Sequence, residues 1–416
     1  MPDTVKDFSA WLFGRFLTNL TLFRADATPI LSRGISSLFG HTSFEEFMRS
    51  SKYIRLITLS SVLVFFMPFA SVAQLELPET RDSTKIGKLG ITGYPYVFYS
   101  PETEFAIGGA MIFTLRTGTD PKAKASNAML SGYYSVKQSY DLFLNPELFL
   151  GEYYVTASID YYRFVDKFWG IGPNTPSIDS STYVRNAFLT NIECDVDVLP
   201  PLKLGLNYDL NSTTISEKRS NPYILAGNLT GTDGGLSSGI GLVLFADTRN
   251  NAFSPSQGGF YKLSFLNAGH WIGSDFTFNR WILDARHYIG LSEKVVLALQ
   301  FYGSQITGDP PFYMYPALGG DNQMRGYYEG RFRDKIYMAT QGEFRIRFTR
   351  RWGIVAFAGL GDVSGDYQSF MLKRVKPTYG LGLRFMLDPD ELLNVRADFA
   401  NGRDTKGVYF NAKEAF

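Results

Sequence analysis

The sequence predicts an all-β fold, a sixteen-stranded antiparallel transmembrane β-barrel, and three observations lead there. From Ile91 to Phe416 apolar and polar residues alternate in short runs. Successive side chains of a strand point to opposite faces, so Leu202, Leu204, Leu206, Tyr208 and Leu210 form an apolar stripe opposite Lys203, Asn207 and Asp209. Aromatic residues make up 16% of the chain, with 25 Tyr and 35 Phe beside 40 Gly. That enrichment suits rings placed at the headgroup level and glycines that relieve crowding inside a barrel or serve its turns. Finally, mean hydropathy is near zero. A helical membrane protein needs several apolar runs of about 18 residues or more, whereas a barrel hides its apolar surface in every second position.

The N-terminal part reads as an export region. Arg49, Lys52 and Arg55 form a basic stretch, Leu59 to Phe69 an apolar core, and Ser71-Val72-Ala73 the small residues that a signal peptidase accepts. Residues 48–73 are therefore expected to be a signal peptide cleaved after Ala73, with Pro68 arguing against a lasting membrane helix. Residues 1–47, ahead of Met48, read as an upstream extension from a misassigned start, and residues 74–90 as a short solvated periplasmic linker. An exported chain with this patterning is expected in the bacterial outer membrane, surrounded by its lipid. Lys+Arg 41 against Asp+Glu 40 leaves a formal charge of +1, which gives no reason to expect a nucleic-acid partner. The single Cys194 excludes an intramolecular disulfide and a multi-cysteine metal site, and neither cofactor nor metal is expected.

Strands are expected near 91–100, 104–116, 126–137, 139–150, 152–164, 181–198, 201–218, 235–246, 258–270, 275–290, 293–307, 336–350, 352–362, 375–388, 391–401 and 405–416. An even number returns the chain to the side on which it started. Tight turns at Gly151-Glu152, Pro200-Pro201, Arg350-Arg351 and Asp388-Pro389-Asp390 should face the periplasm; long loops at 165–180, 219–234, 308–335 and 363–374 should face outward. Pro146 implies a bulge or a weakly paired stretch in the fourth strand. Parity then identifies the lumen. In the twelfth strand Phe344, Ile346 and Phe348 face lipid, which turns Glu343, Arg345 and Arg347 inward. The tenth strand turns Arg280, Asp284 and Arg286 inward, and the fifteenth Arg396 and Asp398. An Arg on the lipid face at the midplane would cost roughly 2–4 kcal/mol, so the inward orientation is the stable one. Charges of both signs predict a lumen without strong ion selectivity.

The longest loop carries Leu318-Gly319-Gly320-Asp321-Asn322-Gln323-Met324-Arg325-Gly326-Tyr327-Tyr328. In this run the chain resembles the BamA/TamA superfamily of outer-membrane assembly proteins, in its sixteen-stranded surface-antigen barrel domain. That family has V-R-G-[FY] on the loop after the eleventh strand; M-R-G-Y stands here, a conservative change. The resemblance implies that the loop folds back into the barrel, that Arg325, Gly326 and Tyr327 form its tip, and that Glu343 is an inward carboxylate partner. A guanidinium in a partly dehydrated lumen needs such a partner, and a forked pair supplies both charge and geometry. The family's F-x-D-x-G of the thirteenth strand appears as Phe357-Ala358-Gly359-Leu360-Gly361. Phe357 and Gly361 match, Gly359 replaces the Asp, and Asp362 has the opposite parity, so the second acidic partner of Arg325 is left open. Asp247-Thr248-Arg249-Asn250-Asn251 resembles the family's turn before the ninth strand, with Asp247 and Arg249 as its charged members, and Phe168 to Asn174 is similar to a run in the same barrels.

In the last strand Val408, Phe410, Ala412 and Phe416 are expected to share the lipid face. Apolar residues two apart ending on an aromatic are what barrel-assembly machinery reads in its clients, so that machinery is an expected partner for this chain's own insertion. Glu414 interrupts the stripe. Family assembly factors carry periplasmic polypeptide-transport-associated domains, for which residues 74–90 are too short, so the resemblance reads as a barrel-only member. Two readings stay open: assembly or translocation of outer-membrane protein or lipid with a separate periplasmic partner, and a structural or low-conductance barrel. With only His270 and His287 in the mature part, and no Ser paired with either, the chain is not expected to be an enzyme.

Overall fold

A computed structural model of the chain describes residues 89–115, 126–150, 152–176, 182–218, 221–371, 373–388 and 392–416. The expected extension at 1–47, the signal peptide at 48–73 and all but the last two residues of the linker lie outside the described residues; Leu89 and Gly90 already belong to the first strand. Sixteen strands close into one antiparallel barrel. In chain order they are β1 (Leu89–Ser100), β2 (Glu104–Leu115), β3 (Ser126–Ser135), β4 (Tyr140–Leu150), β5 (Tyr153–Lys167), β6 (Thr182–Leu199), β7 (Leu202–Ser216) and β8 (Gly234–Asp247). There follow β9 (Gly258–Ala268), β10 (Thr277–Ser292), β11 (Val295–Asp309), β12 (Ile336–Arg347), β13 (Trp352–Ser364), β14 (Lys376–Asp388), β15 (Leu393–Gly402) and β16 (Thr405–Ala412). Neighbours in sequence are neighbours in the barrel, as short turns between antiparallel strands require.

The alternation has the physical effect expected of it. Leu204 and Leu206 of β7 are 45% and 62% exposed, and Trp281, Phe344 and Leu381 likewise stand on the outer face, where only lipid can bury them. Between them, Asp284, Glu343, Arg345, Arg396 and Asp398 are buried inside. Pro146 interrupts one ladder: β4 pairs with β5 at Leu144↔Ile159 and resumes at Glu147↔Thr156. The Asn145 side chain fills the gap by donating to the Ala157 carbonyl at 2.6 Å.

Two features distinguish the ends of the sheet. β1 runs fully paired along β2, from Leu89↔Leu115 to Ser100↔Glu104, but registers with β16 at one pair, Tyr99↔Phe410. β16 stops at Ala412, four residues short of the expected strand end, because Lys413 takes a φ of 69° and turns the chain inward. At the end opposite the termini, the long loops pack on one another through Phe168, Ile224, Phe312 and Tyr313. The run from Phe168 to Asn174 joins this cap, with Gly172 bridging to Arg333.

Candidate functional site

The loop from residue 310 to residue 335 enters the lumen rather than lying over it. Its stem is a two-residue ribbon, Ala317↔Arg333 and Leu318↔Phe332. Leu318, Met324 and Tyr327 then pack against Tyr337 and Ala339 of β12 and Val363 of β13. Gly361 admits this seating, since a Cβ there would come within 3.0 Å of the Met324 sulfur. Gly326 has a φ of 100°, and an added Cβ would lie 2.8 Å from the backbone of Asn401, so the tip can pass β15 only as glycine.

Arg325 is fully buried at the centre of this arrangement. Its guanidinium donates to Glu343 of β12 and, at 2.5 Å, to Asp398 of β15, and lies 3.6 Å from the centre of the Phe357 ring. Two carboxylates and an aromatic face thus replace the water that the cation gave up. Backbone atoms of the tip are held as well. Thr378 donates to the Arg325 carbonyl, Gly326 N–H to the Tyr409 hydroxyl at 2.9 Å, and the Tyr327 hydroxyl to the Pro377 carbonyl at 2.9 Å.

The structure brings together Arg325, Gly326, Tyr327, Glu343, Phe357 and Gly361, and adds Asp398, which fills the vacancy left by Gly359. Asp362 instead pairs with Lys376 at 2.5 Å. At Gly359 an added Cβ would lie 2.9 Å from that of Gln341, whose amide donates to the Asn322 carbonyl of the loop at 2.8 Å. Charge continues outward from the lock. Arg384 and Arg396 reach Asp398 at 2.5 and 3.1 Å, and Arg345 reaches Glu343 at 2.9 Å.

Phe416 departs from the expected lipid face. Val408 and Ala412 are exposed on it and Phe410 half-buried, but Ala415 and Phe416 turn into the lumen and pack on Tyr288 and Ala298. The physical reason is Glu414, which on the lipid side would carry its charge outward without a partner. Inside it accepts from Arg384 at 2.7 Å and from Asn394 at 2.9 Å.

Asp247 and Arg249 lie at a turn remote from the lock. Arg249 donates twice to Asp247, at 2.9 and 2.7 Å, and stacks 4.8 Å from the Phe260 ring. Asn250 and Asn251 shape that turn by accepting backbone N–H groups of Ser256, Gln257, Phe253 and Ser254. His287 meets the Tyr261 hydroxyl at 2.8 Å, and His270 the Ser274 carbonyl at 2.7 Å. Among the described residues no group of three metal-ligating side chains is assembled.

Comparison with known proteins places this geometry in a family. The Omp85 superfamily domain matches residues 123–416. No curated protein matches the chain. Among solved structures, BamA from Haemophilus ducreyi lacking POTRA domains 1–3 is similar with a TM-score of 0.56 and 13% identity, over 79% of this chain and 70% of that one. CdiB from Acinetobacter baumannii is similar with a TM-score of 0.53 and 14% identity, over 79% of this chain and 60% of that one. At these identities the two structures share the barrel fold. A closed sixteen-stranded barrel, an inserted loop and the family match over most of the chain lead to one assignment: this protein belongs to the Omp85 superfamily and is a β-barrel of the bacterial outer membrane.

Proposed function

We propose that this barrel assembles or translocates outer-membrane polypeptides at the junction of β1 and β16, working with a separate periplasmic partner that delivers them. The observation that carries the reading is the single registered pair, Tyr99↔Phe410, at that junction. Every other seam is a continuous or nearly continuous ladder, so this one is the weakest by construction. From Leu89 to Phe98, β1 has registered partners on the β2 side alone. In hydrocarbon each unsatisfied group costs several kcal/mol, so such an edge favours the addition of a strand. Pro95, which has no N–H, is a residue suited to an edge. No catalytic step is part of this reading.

The test is depletion of the protein in its native cells followed by proteomics of the outer membrane. Selective loss of other barrel or surface proteins is expected. Complementation with a Tyr99→Cys, Phe410→Cys variant in a Cys194→Ser background should fail while the disulfide is closed and recover under reductant. An unchanged outer membrane on depletion would leave the structural, low-conductance barrel, a reading supported by the loop and charges that fill part of the lumen.

A further inference from the structure

Around the lock the lumen is balanced in charge. Arg325 bonds Glu343 and Asp398, Arg345 reaches Glu343 and Glu414, and Arg384 reaches Glu414 and Asp398. These groups form a ring of alternating sign against β12 to β15. The wall opposite, β4 to β6, is not balanced. Leu142, Tyr161 and Phe188 are exposed on its lipid face, which turns Asp141, Glu147, Asp160 and Asp195 inward. On the inner side of this wall Asp166 pairs with Arg333, Glu193 with Lys262 and Asp197 with Lys203. Among the described residues, Asp141, Glu147, Asp160 and Asp195 have no ion pair.

Asp195 is the clearest case. It is 1% exposed, and neither of its carboxylate oxygens has a hydrogen-bond partner. The room it occupies exists because its register neighbour on β7 is Gly205, where a Cβ would overlap the carboxylate. One oxygen of Asp141 is likewise buried without a partner. A buried carboxylate without a donor is costly, and a cation brought to it removes that cost.

The four acids share parity as well as sign. Asp195 stands beside Tyr154 of β5, Glu147 beside Thr156 and Asp141 beside Tyr162. With Asp160 they mark a stripe from Tyr154 to Tyr162, about 26 Å long at roughly 3.3 Å per residue. Tyr154, Tyr162 and Tyr133, the β3 neighbour of Asp141, add ring faces that attract cations. Arg185, 5.2 Å from the centre of the Tyr162 ring, ends the stripe on the side of the cap. An extended chain repeats its side chains at the same two-residue period, so basic residues at alternate positions meet the stripe in step. A stripe on one wall is not a ring at a constriction: it gives a small permeating ion little selectivity, whereas a long polycation meets all four acids.

We propose that the inner face of β4 to β6 binds an extended basic polypeptide segment, which enters beside Asp195 at the mouth near the Pro200-Pro201 turn and sets its lysine or arginine side chains on the four free carboxylates. The inference rests on the reading above, in which the barrel handles polypeptides, and names the chemistry of the segment it takes.

The test uses the purified full chain in lipid and a fluorescent nonapeptide with Lys at alternate positions, beside the same peptide carrying Glu. At low salt the Lys peptide should bind roughly tenfold more tightly than the Glu peptide. Asp141→Asn, Glu147→Gln, Asp160→Asn and Asp195→Asn together should lower its affinity about tenfold. In a chain with Cys194→Ser and Ser158→Cys, the thiol at position 158 faces the lumen between the acids. The Lys peptide should slow its labelling by a water-soluble maleimide, and the Glu peptide should not. Equal affinity for the two peptides overturns the proposal, as does unchanged affinity in a folded, heat-modifiable barrel lacking all four acids. Binding without protection at position 158 places the peptide on the rim and overturns it too. Should the chain lacking the acids fail to fold, the protection experiment, which keeps them, decides alone. The seam takes no part in this assay, so its failure leaves the depletion and disulfide experiments standing, and theirs leaves this one.

Discussion

Arg325 keeps a charge inside the barrel only because Glu343 and Asp398 meet both arms of its fork. Replacing it with Ala removes the loop's ion pairs to both acids while Arg345, Arg384 and Arg396 still neutralise them, so the loss falls below the roughly 3–5 kcal/mol of a buried pair that loses its sole partner. Arg325→Ala is therefore expected to release the loop, read as faster proteolysis within 310–335 and a smaller heat-modifiable fraction. Arg325→Lys should behave nearly as badly, since an ammonium on a single stem cannot span both acids in the same plane. Equal protection in wild type and both variants would remove Arg325 from the lock. Glu343 was legible beforehand, because strand parity turned it inward and the loop motif needed an acid. Asp398 was legible as an inward side chain, yet its partnership with Arg325 was not, because alternation orders residues along a strand and says nothing of reach across the lumen. Gly359 pointed to a missing acid on β13 without saying that β15 supplies it.

At the scale of elements, the strands were readable because each has one lipid face and a two-residue period that tolerates no slip. The expected boundaries for β2, β6 and β8 lie within a residue or two of those observed. β16 shows where this logic ends: the pattern continued to Phe416, but the turn at Lys413 is decided by Arg345 and Arg384, far away in sequence. The inserted loop depends on similar encounters. Its Glu329 backbone donates to Glu102 of the β1–β2 turn at 2.8 Å, and both residues line a cavity of about 190 Å³ beside the β1–β16 junction. Although Glu329 is exposed to the lumen cavity, partial desolvation by the protein groups around it, then the Glu102 and Asp166 carboxylates, push its carboxyl up to about 7 against the pull of Arg333. The seated loop thus keeps this proton at pH values where a free carboxyl has lost it, and seating weakens as pH rises from the usual carboxylate range through about 7. Protease protection of 310–335 should be greater at about pH 5.5 than at about pH 8. In Glu329→Gln that difference should shrink, and an identical pH response in wild type and variant would sink the assignment.

For the whole molecule, the decisive property is what occupies the lumen. The loop, its stem and the ring of charges lie against β12 to β15, while the opposite wall, β4 to β6, carries side chains such as Asp141, Asp160 and Asn191 that are only half-buried. A cavity of about 250 Å³ opens between Glu193, Lys262, Arg280 and Asp284, so the interior holds pockets beside a filled half. Paired charges of both signs give a permeating ion neither a continuous path of one polarity nor a free binding ring. The intact barrel is accordingly expected to conduct weakly and with little preference between cations and anions in a planar bilayer. Shortening the loop by removing residues 319–330 takes out Arg325 together with the tip, and should raise single-channel conductance severalfold without creating strong selectivity. High, steady conductance by the unmodified barrel would mean that the loop does not stay seated in the membrane, and would count against both the lock and the junction it supports.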